Sequence, residues 1–359
     1  MPTIFDSLRL GALTLPNRIL LAPLTRCRAT ADHVPTDLMT EYYTQRADAG
    51  LVITECTMIL PGTSAFGTEP GIYSPEQIAA WRKVTDSVHA KGGHIYLQIW
   101  HCGRATHPLM NNGIEPVAPS ALAIGNDHIH TREGKKPYPV PRALEVDEIP
   151  AIIAAFAQAA RNAREAGFDG VEVHGANGYL LDEFLRDGTN QRTDEYGGSV
   201  ENRARLLLEA VKAVCDAWSP DRVGVRVSPL NSYNDMRDSD PVTTYRYVAE
   251  QLDKLGLAYL HVMEGDFFGA QKADVMPAIR SAFHGNLIGN FGYTAESANQ
   301  ALAEGQVDAV AFGSSFLANP DLVTRFRKRA PLNTPDSSTF YSPGPKGYTD
   351  YPTLEQVVA

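Results

Sequence analysis

Eight short apolar, β-branched runs separated by longer amphipathic stretches predict an α/β chain folded as a single (β/α)8 TIM barrel. Two further observations favour a barrel over an open doubly wound sheet. The runs are nearly continuous in Val, Ile, Leu and Ala instead of alternating with polar residues, as strands buried on both faces require. No GxGxxG turn and no GxxxxGK[ST] loop occurs anywhere, so the usual phosphate-binding signature of an open sheet is missing. Two domains would also suit 359 residues, but barrels routinely reach this length as one, so residues 1–359 are read as one domain.

The elements follow in order. Residues 8–15 suit a small hairpin around Gly11 that closes the barrel floor. Strands are predicted at 19–22, 51–55, 94–98, 169–173, 223–228, 258–262, 287–290 and 307–312. Helical spacing is clear at 75–91 and at 147–166, where Ala, Ile and Phe recur on one face. Ser199 followed by Glu201 is good chemistry for the start of a helix over 199–217. Helices over 294–305 and 320–329 complete the set. The stretch 101–142, after the third strand, is rich in Pro, Gly, Asn and His and has no helical period. An insertion of that length in a compact domain usually serves a pocket. The tail 331–359 is also irregular, with Pro343, Gly344, Pro345, Gly347 and Pro352.

Composition removes several classes of function. Hydrophobic residues make up 43% and charged residues 21%, enough to build a core and unlike a disordered chain. Against 42 Asp and Glu stand 32 Lys and Arg, a net charge of −10, which argues against nucleic acid or an anionic membrane as partner. No apolar run approaches the roughly 20 residues that span a bilayer. The opening MPTIFDSLRLG has neither the cationic nor the apolar segment of a signal peptide. Cys27, Cys56, Cys102 and Cys215 are widely spaced with no CxxC, so a disulfide framework and a thiolate metal site are not expected, and a reducing cytoplasm fits.

Barrel chemistry sits at the C-terminal ends of strands and in the loops after them. Those positions hold Pro23, Leu24 and Thr25, then Cys56, Gln98 and Trp100. After the fourth strand come His174, Asn177 and Tyr179; Arg226 lies near the end of the fifth, Asn290 ends the seventh, and Gly313 and Ser314 follow the eighth. The set offers amide and hydroxyl donors, one fixed cation and aromatic platforms. It lacks the paired carboxylates of glycoside hydrolysis and the GxSxG elbow of a serine hydrolase. His128-Ile-His130 is the metal motif available to the alternative reading, a flavin-free, metal-dependent barrel hydrolase. It falls in the insertion with no matching Asp/His array at other strand ends, and reads as a solvated loop pair.

The run His174-Gly-Ala-Asn177-Gly-Tyr179 leads to Leu185-Arg186-Asp187-Gly-Thr-Asn190-Gln-Arg192 and Tyr196-Gly-Gly-Ser199-Val-Glu201-Asn202-Arg203. With Ala22-Pro23-Leu24-Thr25-Arg26, Gln98-Ile-Trp100, Gly289-Asn290-Phe291, Asn319-Pro320-Asp321-Leu322 and Gly347-Tyr348-Thr-Asp350-Tyr351-Pro352, it resembles the Old Yellow Enzyme family of FMN-dependent ene-reductases along essentially the whole chain. The resemblance implies FMN held by Pro23, Leu24, Thr25, Cys56 (through its backbone), Gln98, Arg226, Gly289, Asn290, Phe291, Gly313 and Ser314. It implies NADPH or NADH as reductant and an activated alkene (enone, enal, maleimide or nitro compound) as substrate. His174 and Asn177 would grip the substrate oxygen, flavin N5 would deliver hydride to the β-carbon, and Tyr179 would protonate the α-carbon. Phe66, Trp100 and Tyr348 would wall the substrate pocket. The same resemblance leaves monomer and homodimer both open.

Three departures from the family pattern stand out. Phe66 replaces a Tyr found in many relatives and so lacks a hydroxyl. Asn177 takes the place that is either His or Asn, giving a donor that carries no charge. Ser314 stands where the family usually has an Arg on the FMN phosphate, losing a fixed charge and a bidentate grip. FMN binding is expected to survive, on backbone amides and the hydroxyls of Ser314 and Ser315, but with lower affinity.

Overall fold

The computed structural model describes residues 1–125 and 127–358; Asn126 of the insertion and Ala359 of the tail lie outside the described residues. Eight parallel strands pair in sequence order: β1 (Ile19–Leu21), β2 (Leu51–Ile53), β3 (Ile95–Trp100), β4 (Gly170–Gly175), β5 (Val223–Val227), β6 (Tyr259–Met263), β7 (Leu287–Asn290) and β8 (Ala309–Phe312). The ring closes where β8 pairs with β1 and aligns Phe312 with Leu21. Each strand lies where an apolar run predicts it. The informative differences are in β3 and β4, which continue to Trp100 and Gly175. Trp100 and His174 are therefore strand residues, held by the ladder, and not loop residues.

Strand alternation sorts the apolar residues into two cores. Outward-facing Leu21, Val52, Ile95, Leu97, Ile99, Val171, Val173 and Val225 join one core with the helices. Inward-facing Leu20, Ile53, Tyr96, Tyr259, Ile288 and Ala309 join Leu10, Leu13 and Leu15 of the N-terminal hairpin in a second. Each fully buried aliphatic side chain contributes about 1.5–3 kcal/mol. The hairpin pairs Leu8–Leu10 with Leu13–Leu15 and plugs the floor. Its turn residue Gly11 has φ +53, and a Cβ there would lie 2.1 Å from the Asp221 carbonyl oxygen just ahead of β5, so only glycine fits.

Around the barrel run α1 (Asp37–Gln45), α2 (Pro75–Ala90), α3 (Ile149–Glu165), α4 (Leu180–Leu185), α5 (Val200–Ala217), α6 (Pro241–Asp253), α7 (Met276–Ala282), α8 (Ala295–Ala303), α9 (Ser314–Ala318), α10 (Leu322–Lys328) and α11 (Leu354–Val358). Helices α2, α3, α5, α8 and α10 match the predicted ones. Helix α2 begins with Ser74 accepting from the Gln77 amide, a capping box, and Pro75 in the first turn. Helices α1, α6 and α7 fill segments whose periodicity marks no helix. The tail is less irregular than expected, since it holds α11 and a 3-10 turn at Ser337–Thr339.

The insertion is a built wall. It contains an antiparallel ribbon, His128–Thr131 with Gly134–Pro137. Arg104 ties it down: its amide donates to Glu183 Oε1 on α4 at 2.9 Å, and its guanidinium donates to the Leu122 and Asn234 carbonyls, both at 2.9 Å. His128 and His130 lie exposed on the ribbon, and no group of three or more possible metal ligands forms among the described residues. The four cysteines are buried and unpaired. No helix among the described residues is long and apolar enough to cross a membrane.

Candidate functional site

Toward the C-terminal mouth the barrel interior changes from apolar to polar. Gln98, Glu172, His174, Arg226, His261 and Asn290 are all buried there. Strand register sets them side by side: His174 aligns with Arg226, Arg226 with His261, and Glu172 with Gln98. Buried polar groups in such number demand partners. The Glu172 carboxylate supplies three of them. It accepts from Gln98 Nε2 at 2.8 Å, from His261 Nδ1 at 2.9 Å and from the Tyr259 hydroxyl at 3.0 Å. Burial alone would raise its carboxyl, but His261, Arg226 and Gln98 hold it below the usual range, so it stays ionised.

This network has a directional consequence. With the Gln98 amide nitrogen committed to Glu172, its carbonyl oxygen is left for the space above. Arg226 donates through one terminal nitrogen to Asn290 Oδ1 at 3.0 Å, and Asn290 donates in turn to the Ala311 carbonyl at 2.8 Å. Among the described residues the buried Arg226 Nε has no protein partner.

Above these groups opens a cleft of about 420 Å³. Eleven of the residues singled out in the sequence line it: Pro23, Leu24, Thr25, Cys56, Phe66, Gln98, His174, Asn177, Tyr179, Arg226 and Ser314. One wall is the loop after β4. The His174 Nδ1 accepts the Ala176 amide at 3.3 Å, so its Nε2 carries the hydrogen and faces the cleft. Burial pushes the imidazole well below its ordinary range, with the charges of Arg226 and His261 adding to the effect, so it is a neutral donor. Asn177 has φ +58, a left-handed conformation that Asn tolerates. Its Oδ1 accepts from Asn231 Nδ2 at 2.9 Å, which turns its own amide nitrogen outward as a second donor. Arg186 braces this loop from below by pairing with Asp182 at 2.9 Å and donating to the Asn231 carbonyl at 2.8 Å and to the Ser228 carbonyl. Asp182 Oδ2 accepts the Gly178 amide at 2.9 Å.

Tyr179 stands beside this pair, its ring edge-on to His174 at 5.2 Å and to Trp100 at 5.1 Å. Its hydroxyl has no hydrogen bond to protein among the described residues, and burial holds the phenol well above its ordinary pKa. It is a fixed, protonated group at the cleft.

Two expected pocket walls are corrected. Trp100 is fully buried behind Tyr179 and backs the wall without lining it. Tyr348 is fully buried away from the cleft, stacked on Tyr42 at 4.2 Å with the Arg28 guanidinium 4.6 Å from its ring centre. The tail instead contributes Phe340 and Tyr341, with Tyr341 stacked on Phe66 at 6.0 Å. Gly289, Asn290, Phe291 and Gly313 border the cleft without lining it. A Cβ on Gly289 would lie 2.6 Å from Glu264 Oε1, outside the barrel, while the Phe291 ring packs 5.9 Å from Phe267.

Residues absent from the sequence reading complete the mouth. Tyr233, Phe267 and Phe268 form an aromatic rim, the last two largely exposed. Their loop is wound around the Asp266 carboxylate, which accepts the amides of Ser232 at 2.9 Å, Phe268 at 3.2 Å, Ala270 at 2.7 Å and Gln271 at 3.0 Å. Burial would raise this carboxyl, yet Ser232, Gln271 and Phe268 bring it down to about 2. The signal for these residues is their place in the loops after β5 (Tyr233) and β6 (Phe267 and Phe268), at the catalytic end of the barrel strands.

The residues present fit a flavin. The Arg226 guanidinium, whose buried Nε has no protein partner among the described residues, the Gln98 amide and the Thr25 hydroxyl belong to residues lining a cleft walled by Pro23, Leu24 and Leu317, as a polar-edged aromatic ring requires. The family described as NADH:flavin oxidoreductase / NADH oxidase matches residues 3–333. A probable flavin mononucleotide-dependent alkene reductase of Leishmania infantum is 51% identical over 353 residues, spanning 97% of this chain and 96% of that protein. The old yellow enzyme homologue of Zymomonas mobilis superposes with a TM-score of 0.96 at 47% identity, covering 98% of this chain and all of that one. Morphinone reductase in complex with tetrahydroNAD superposes with a TM-score of 0.94 at 48% identity, covering 99% and 98% of the two chains.

Proposed function

The chain belongs to the Old Yellow Enzyme family, within the NADH:flavin oxidoreductase / NADH oxidase family, and from that premise we propose how its cleft reduces small activated alkenes. It is an FMN-dependent oxidoreductase acting on activated carbon–carbon double bonds, and the hydrolase alternative is set aside. The observation that carries the assignment of roles is the pair of neutral N–H donors, His174 Nε2 and Asn177 Nδ2, beside the protonated hydroxyl of Tyr179.

FMN, once bound, supplies the hydride. Gln98, Arg226 and Thr25 would hold its ring, the Arg226 cation favouring the reduced form by its charge. His174 and Asn177 bind the substrate carbonyl or nitro oxygen and polarise it toward the developing negative charge. Tyr179 holds the proton at its hydroxyl oxygen and passes it to the α-carbon. A nicotinamide shares the same cleft in the alternate half-reaction, NADPH being our choice of donor over NADH. The enzyme works as a monomer or homodimer in the cytoplasm, where its unpaired cysteines stay reduced.

Purified protein is expected to be yellow, to bleach with NADPH in the absence of oxygen, and to recolour when an enone is added. A preparation that binds FMN but does not recolour with any enone, maleimide or nitroalkene would overturn the assignment.

Ser314 yields a separate prediction. Among the described residues lining the cleft the cations are Arg26 and Arg226, and the Arg26 guanidinium is bound to the carbonyls of Phe340 and Gly347 at 3.0 and 2.6 Å. The cofactor phosphate then meets neutral donors at Ser314, and Ser314→Arg should lower the FMN dissociation constant by about tenfold through charge-assisted hydrogen bonds. Titrating apoprotein with FMN at fixed salt measures this; an unchanged constant would mean the phosphate is held elsewhere.

A further inference from the structure

Cys56 is buried in the loop just after β2, lines the cleft and has no part in the chemistry above. Its Sγ lies 3.0 Å from the Thr25 Oγ1, and among the described residues the Thr25 hydroxyl has no other hydrogen bond to protein. Each group carries one hydrogen, so the contact has two arrangements. If the hydroxyl donates to sulfur, its hydrogen is taken up by Cys56 and is not offered to the cleft. If the thiol donates to Oγ1, the hydroxyl hydrogen is turned away from sulfur and is free to enter the cleft. Sulfur is the weaker acceptor and the thiol the weaker donor, so the contact itself is balanced; an acceptor in the cleft draws the hydroxyl hydrogen to it and leaves the thiol to donate to Oγ1. Burial also holds the thiol well above its ordinary pKa, so the S–H hydrogen is retained.

We propose that Cys56 is a positioning residue whose S–H donates to Thr25 Oγ1 and directs the Thr25 hydroxyl hydrogen into the cleft, where it sets the reduction potential of the bound flavin. The inference rests on the reading that Thr25 faces the cofactor. A hydrogen-bond donor aimed at the ring's carbonyl edge stabilises negative charge there and favours the reduced form. No bond is made or broken at sulfur; the thiol acts only by fixing the rotor of its neighbour.

The test is the two-electron midpoint potential of FMN in the holoenzyme, measured by anaerobic spectroelectrochemical titration for the wild type, Cys56→Ala, Thr25→Ala and the double variant. Cys56→Ala is expected to shift the oxidised-to-reduced ratio by about tenfold toward oxidised, which is about 30 mV for a two-electron couple. Thr25→Ala should shift it at least as far, and adding Cys56→Ala to Thr25→Ala should then change nothing, the signature of a residue acting through another. Cys56→Ser, which keeps a donor hydrogen at that place, should return the potential toward the wild-type value. An unchanged potential in Cys56→Ala, or an equal shift in both backgrounds, would overturn the proposal. An unchanged potential in Thr25→Ala would instead show that Thr25 does not face the flavin, and the inference would fall with that reading.

Discussion

In Tyr179→Phe the NADPH-driven bleaching of the flavin stays close to the wild-type rate, while enone turnover falls by about 10²–10⁴-fold. The separation follows from where the hydroxyl sits. It makes no hydrogen bond to protein among the described residues, so deleting it leaves no buried partner unsatisfied. The ring itself is held by its edge contacts with Trp100 and His174, and phenylalanine keeps both. What disappears is the proton at the cleft. Because burial raises the phenol well above its ordinary range, the wild-type group remains protonated across neutral and mildly alkaline pH. Enone turnover should accordingly show no alkaline loss from this group below about pH 10. Anaerobic stopped-flow measurement of the two half-reactions decides the matter. Equal loss in both would mean that Tyr179 shapes the cleft and does not deliver the proton.

The barrel was legible because its strands are apolar on both faces, a pattern with few alternatives at eight repeats. Strand ends were less legible for the same reason the site exists. At Gln98, Ile99 and Trp100, and again at Val173, His174 and Gly175, polar or small residues interrupt the apolar run, yet the ladder continues through them. Ten of the eleven cleft residues are legible at strand ends and in the loops after them, and Phe66 from the family resemblance alone. No motif marks the supporting network, although it leaves a trace: Glu172 lies between Val171 and Val173 in a strand expected to be buried on both sides. A carboxylate there needs partners, and His261 and Tyr259 on β6 carry the matching chemistry. Only the resemblance puts Tyr348 at the pocket, since a Pro- and Gly-rich tail has no period from which to infer direction. Its ring turns inward onto Tyr42, and Tyr341, seven residues earlier, reaches the cleft. Helices α1, α6 and α7, of 9, 13 and 7 residues, are not legible in the sequence because tertiary packing, more than local pattern, decides helices this short.

Replacing His174 or Asn177 by Ala should lower kcat/KM for enones by about 10²–10³-fold each, the usual effect of removing one donor from a preorganised oxyanion site. In the proposed mechanism both donors address one oxygen, so the double variant should lose less than the product of the single losses. The geometry makes a finer distinction between them. His174 is oriented by a backbone amide on its own strand-end loop, whereas Asn177 depends on the Asn231 side chain at 2.9 Å. Asn231→Ala should therefore release the Asn177 amide to rotate and cost about tenfold in kcat/KM while leaving the His174 contribution intact, an effect that vanishes in an Asn177→Ala background. Charge enters as well. With the His174 imidazole held well below its ordinary range by burial, it does not gain a proton between pH 8 and 6, and enone binding should be flat across that interval. A change in binding as pH falls through about 6.5, absent from His174→Ala, would show that the imidazole titrates in the working range and that the oxygen is gripped by a cation instead of by two neutral N–H groups.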